Sequence, residues 1–222
     1  MKSLITIKKH SGFTLIELIV VMAVFLFVIG AAVGIFISIV QNQKKVLAEQ
    51  EFLNQISYVE EYMSKALRMA NVAIYDNCIP SGYIYLLTHY NLASGLFRGI
   101  KFINQSDNNA CQEFFLAGAG TAADPYILKE LNSTNGSDAV AITPPNLQFD
   151  PMNPIRFSIN GSDGSAVNCG NLDQCGASDM DTVQPKVTIL MNVKIAGDCP
   201  TCNRTIQTTV SQRNLNVNNG QR

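Results

Sequence analysis

FTLIELIVVMAVFLFVIGAAVGIFISIV, residues 13–40, contains one ionisable side chain, Glu17. About 20 consecutive apolar residues cross the hydrocarbon of a bilayer as a helix, and this run is longer. A secretory signal has an apolar core of only about 7–15 residues and then a small-residue cleavage site. This run is too long for that, and no A-x-A site follows it. Lys2, Lys8 and Lys9 precede the span, with His10 beside them. The positive-inside rule therefore places residues 1–12 in the cytoplasm and the remainder outside. Lys44 and Lys45 lie beyond the span, but Glu49 and Glu51 offset them. Glu17 is the anomaly: an acid near the centre of a membrane helix costs about 2.5–3.5 kcal/mol on insertion scales. Either it reaches the headgroups from the helix end, or it has a function.

Downstream, residues 41–72 read as a continuation of the same helix. Val46, Leu47, Leu53, Ile56, Val59, Met63, Leu67 and Ala70 recur at three- and four-residue steps, with polar residues between them. No Gly or Pro interrupts residues 35–79. From Phe13 such a helix would reach about 90 Å at 1.5 Å per residue. After Pro80 the texture changes to short β-rich runs separated by Gly, Asn, Asp and Pro clusters. The expected strands are 83–88, 98–103, 113–116, 126–131, 139–142, 155–159, 186–195 and 205–212. The alternation Val187, Ile189, Met191, Val193, Ile195 is the clearest of these, and it argues for antiparallel meanders with one face covered. The expected fold is α+β: one long N-terminal helix packed on a mostly antiparallel β domain. The expected segments are a leader (1–12), a membrane half of the helix (13–40), an extracytoplasmic half (41–72) and a β-rich domain (73–222).

Ser11-Gly12-Phe13-Thr14-Leu15-Ile16-Glu17-Leu18-Ile19-Val20-Val21 resembles the prepilin signal of the type IV pilin and type II secretion pseudopilin superfamily. The resemblance covers about the first fifth of the chain. It implies that a prepilin peptidase, a membrane aspartic protease, cuts between Gly12 and Phe13 and methylates the new N-terminal Phe13. It also implies that Glu17, the fifth mature residue, sets assembly register. Physically, cleavage leaves a charged amine at Phe13, and Glu17 lies about 6 Å further up the helix. Opposite charges in a low-dielectric bundle attract strongly and are costly when unpaired. The amine of one subunit and the carboxylate of another would therefore lock the axial offset. Gly30 and Gly34, with Ala31 nearby, form a small-xxx-small pair that lets helices approach closely. Many major pilins have a proline in this part of the helix; this chain has Gly34 and no proline. A further resemblance, to J-type and similar minor pseudopilins, rests on Asn146-Leu147-Gln148-Phe149, Ile155-Arg156-Phe157-Ser158-Ile159, Gln184-Pro185-Lys186-Val187-Thr188-Ile189 and Ile206 to Asn214.

Six cysteines, Cys78, Cys111, Cys169, Cys175, Cys199 and Cys202, all fall after residue 77. An even count on one side of an apolar span suits an oxidising compartment. Pairing by proximity gives Cys78–Cys111, Cys169–Cys175 and Cys199–Cys202, although sequence cannot fix connectivity. Cys199-Pro200-Thr201-Cys202 has redox spacing, but it lies between two expected strands rather than at a helix start, which favours a closed turn. A zinc site from Cys169, Cys175, Cys199 and Cys202 fits poorly, because the first spacing is C-x5-C. Asp163, Asp173, Asp179 and Asp181, in a Gly-, Ser- and Asn-rich segment, are weak calcium candidates without EF-hand spacing. No cofactor is expected otherwise.

Catalysis has little support. His10 and His89 are the only histidines, and no H-E-x-x-H, G-x-S-x-G or phosphate-binding glycine loop is present. His89 reads as a surface or turn residue at the end of a strand. The formal charge of −1, from 16 basic and 17 acidic residues, gives no footprint for nucleic acid. The expected role is structural: a minor pilin or pseudopilin near the tip of a filament. Its expected partners are prepilin peptidase, other pilin-type subunits and an inner-membrane assembly platform. The alternatives are a membrane-displayed module that binds DNA, a secreted protein or a surface, and a signal-anchored enzyme.

Overall fold

The computed structural model describes residues 12–134, 136, 138–144, 147–160, 175–178, 184–195 and 203–213. These fall into two units, one up to Gln50 and one from Glu51 onward. A single helix, α1, occupies Leu15–Arg68. In the first unit, residues 13–39 are all exposed. A helix that is apolar all round and buries none of its surface has hydrocarbon as its natural solvent.

In the second unit α1 buries Phe52, Ile56, Val59, Met63, Ala66 and Leu67, one stripe at helical spacing. The stripe begins later than expected, since Val46, Leu47 and Leu53 are exposed. Phe52 takes the position expected for Leu53, because steps of four and three from Phe52 meet Ile56, Val59 and Met63 in phase. The helix also stops at Arg68, before residue 72, because Ala70 and Asn71 form strand β1 against Asn104 and Ile103. No glycine caps this end. The last carbonyls are taken up by other segments instead. Tyr85 Oη donates to Leu67 O at 2.7 Å, and Arg213 N donates to Arg68 O at 2.8 Å. Gln105 N reaches Met69 O at 2.9 Å, and Gln212 Nε2 reaches Ala70 O at 3.0 Å.

The strands are β1 (Ala70–Asn71), β2 (Tyr83–Asn91), β3 (Leu96–Asn104), β4 (Ala110–Ala117), β5 (Ile127–Asn132), β6 (Val140–Ala141), β7 (Leu147–Phe149), β8 (Ile155–Asn160), β9 (Cys175–Ser178), β10 (Lys186–Ile195) and β11 (Asn203–Ser211). Every pairing among them is antiparallel. One group runs β9-β2-β3-β4-β5-β6, and the other places β10 between β11 and both β7 and β8. They join where Phe97 of β3 meets Phe157 of β8. All eight expected strands are present, seven with shifted ends and β10 with the expected bounds. The strand β9 was not expected, since its residues lie in the Gly-, Ser- and Asn-rich segment that carries no strand pattern. Pairing with the exposed edge of β2 overrides that weak local propensity.

Along the central strands, alternate side chains divide between two clusters. Tyr85, Leu87, Ile100, Phe102, Phe114, Leu128, Phe157, Val187 and Ile189 pack with the α1 stripe. Tyr62, Phe114, Phe102 and Tyr85 form a run of aromatic contacts with ring centroids 5.8–6.3 Å apart. On the other face, Leu86 joins Ala73 and Ile79, with Cys78 and Ile103 alongside. The main core also contains a polar seam. Tyr62 Oη donates to Glu130 Oε2 at 2.7 Å, Gln112 Nε2 donates to Glu130 Oε1 at 2.6 Å, and Asn104 Nδ2 donates to Gln112 Oε1 at 2.8 Å. Burial and the adjacent Glu130 carboxylate push the Tyr62 phenol well above its ordinary range.

Candidate functional site

The N-terminal signal is built by the helix start itself. Gly12, Phe13 and Thr14 precede α1 and are exposed. Thr14 is the N-cap and Glu17 is the third helical residue, the arrangement of a T-x-x-E capping box. Glu17 N donates to Thr14 Oγ1 at 3.4 Å, while Thr14 N and Thr14 Oγ1 both donate to Glu17 Oε2, at 3.2 and 3.0 Å. Thr14 O accepts the first helical bond, from Leu18 N at 3.3 Å. The carboxylate thus sits against one amide and one hydroxyl donor at the positive end of the helix dipole, which favours an anion there. The spacing Thr14-Leu15-Ile16-Glu17 carries this box in the sequence, so Glu17 is not a lone membrane acid. Four residues apart further along, Gly30 and Gly34 each have open space where a side chain would begin.

Cys78 and Cys111 form a disulfide, with their Cα atoms 5.5 Å apart. It ties the segment before β2 to the start of β4. Cys175 opens β9. Cys169, Cys199, Cys202, Asp163, Asp173, Asp179 and Asp181 lie outside the described residues. Among the described residues no group of three or more His, Cys, Asp or Glu side chains could hold a metal ion.

His89 is exposed, as expected, but its backbone and partners are specific. It lies inside β2 with φ of 56°, stacks on Phe115 with centroids 4.7 Å apart, and sets Nε2 3.2 Å from Glu113 Oε1. Left-handed backbone is unfavourable for a bulky residue. Gly99 on β3 makes the arrangement possible. A Cβ there would lie 2.4 Å from Thr88 Oγ1 and 2.7 Å from His89 Cδ2. Thr88 Oγ1 donates to the same Glu113 oxygen at 2.7 Å. Burial would raise the Glu113 pKa, but the bonds from His89 and Thr88 outweigh it and hold the carboxyl below its ordinary value. With Leu86, Lys101 and the Cys78 region, these groups line a cavity of 610 Å³. The hydroxyl bonds the carboxylate and not the imidazole, so the order of nucleophile, base and orienting acid is absent here.

Residues 7–33 match the prokaryotic N-terminal methylation motif. No curated protein and no solved structure gives a significant match to the chain. The motif, the exposed apolar helix that anchors the chain in a membrane by a single pass, and the α+β layout of helix on antiparallel sheet agree with one another. The chain carries the N-terminal methylation signal of type IV pilins and pseudopilins, a motif that implies processing by prepilin peptidase and assembly with other pilin-type subunits.

Proposed function

We propose that the chain is a structural subunit, with no catalytic role, cut between Gly12 and Phe13 and built through α1 into a pilus-like filament or secretion pseudopilus. In this reading residues 1–12 face the cytoplasm and the β-rich domain faces outward. Phe13 receives the methyl group, and Glu17 of one subunit meets the Phe13 amine of another. Gly30 and Gly34 are where neighbouring helices approach. An inner-membrane assembly platform extracts the processed chain from the bilayer.

The observation that carries this reading is the Thr14–Glu17 box at the head of an apolar helical stretch that is exposed through residue 39. The box explains how an acid is tolerated there before assembly: its oxygen accepts two bonds from Thr14. In a filament, a neighbouring amine adds a charged partner to a carboxylate already oriented by its own helix. A position near the tip follows from the size of the β-rich unit, which is hard to repeat closely along a shaft.

The test is substitution at Glu17 in cells that assemble the filament. Glu17→Leu should be inserted and cleaved normally and yet be missing from sheared filaments. Normal incorporation of that variant would remove Glu17 from the account.

A further inference from the structure

We infer that the edge of β11 that no described strand covers takes up an extended segment of a neighbouring pilin-type subunit, which adds a strand to the sheet and directs a basic side chain to Glu60. The inference rests on the assembly reading above and names the contact surface of the β-rich unit.

Strand β11 pairs along its whole length, Asn203–Ser211, with β10 on one side, and no described strand pairs with its other side. Nine residues is long for an edge. Natural edges are usually shortened, bulged, or guarded by charged side chains or proline; beyond Arg204 near its start, β11 has no charged residue or proline, and its register with β10 has no bulge. From Thr205 onward an edge of this kind offers about half its amides and carbonyls to an incoming strand.

Beside the edge, a groove of 940 Å³ separates α1 from the end of β11, lined by Glu60, Glu61 and Lys65 of the helix and by Thr208, Ser211 and Gln212. Glu60 Oε1 is buried with no hydrogen-bond partner. Burial holds the Glu60 carboxyl above its ordinary value. An orphaned buried carboxylate oxygen costs free energy in the isolated subunit and is accounted for if a donor arrives on assembly. A strand laid on β11 brings alternate side chains over the groove, and a lysine or arginine among them supplies that donor.

The test uses the full processed chain, alone in lipid nanodiscs and assembled in filaments with its partner subunits. Amide hydrogen exchange is read residue by residue across β11. The expected result is that every second amide, the set not bonded to β10, slows on assembly. Glu60→Gln should leave the isolated subunit at least as stable as the wild type, yet lower incorporation by about thirtyfold or more, the usual scale for losing one partner of a buried charged bond. Glu60→Lys should abolish incorporation. If the chain enters filaments with β11 exchange unchanged, or with those amides already protected in the free subunit, the inference fails and the assembly reading stands. If the chain never enters filaments, both fail.

Discussion

Glu17 shows how one side chain can be read too simply. Taken alone it is a costly membrane acid. Bonded to Thr14 it is the third residue of a capping box, which lowers that cost before any partner arrives. Thr14→Val should therefore destabilise the helix start by about 1 kcal/mol while Thr14→Ser keeps it, measured as amide exchange of residues 15–18 in nanodiscs. Within the β-rich unit, Gly99 is equally constrained. Gly99→Ala drives a methyl into Thr88 and His89 and should cost about 1–3 kcal/mol, a melting-temperature loss of about 2–4 °C for each kcal/mol. Glu113 sets an acid limit on stability. Its carboxyl is held below the ordinary 4.5, so its contribution is complete above that pH and declines as pH falls through the lowered value. Glu113→Gln should flatten the acid side of the stability curve in denaturant titrations at pH 3–7. At this scale the signal residues were legible, because each has a fixed spacing within one helix turn. The His89–Glu113 pair was not, because it depends on β2 and β4 both lying beside β3 in the right register.

Among the elements, α1 and the better-patterned strands follow from periodicity. The stripe Phe52, Ile56, Val59, Met63 and Leu67 has the helical step, and β10 has the two-residue step. Short or polar elements did not announce themselves. The strand β9 has Gly176 and Ala177 at its centre and exists only because β2 offers an edge. Helix termination was also hidden, since the carbonyls of Leu67, Arg68, Met69 and Ala70 are satisfied by Tyr85, Arg213, Gln105 and Gln212 from distant segments. The Cys78–Cys111 bridge was one of several pairings by proximity and is the one the described residues contain. Closing a separation of 33 residues, it should contribute about 3–4 kcal/mol on the loop-entropy model. Replacing both cysteines by alanine should lower the denaturant midpoint and steepen the slope, because the uncrosslinked denatured chain exposes more surface.

At the scale of the whole molecule, the two units are suited to different solvents. Residues 13–39 expose only helix surface and are apolar apart from Glu17 and a few small or hydroxyl-bearing side chains, whereas the unit from Glu51 encloses its own core. The first suits lipid, or other helices of its kind, and the second suits water. That division, and the signal at its start, were readable because hydropathy over a long span needs no tertiary context. The edge at β11 and the orphaned Glu60 oxygen were not, since both depend on which strands end up outermost. The central claim is that the chain is processed as a prepilin before assembly. Mass spectrometry of the N-terminus, on protein taken from the native membrane, tests it most directly. The account predicts a chain that begins at Phe13 and carries a methyl group on its amine. A chain that retains residues 1–12, or one cut beyond the apolar span, would contradict it.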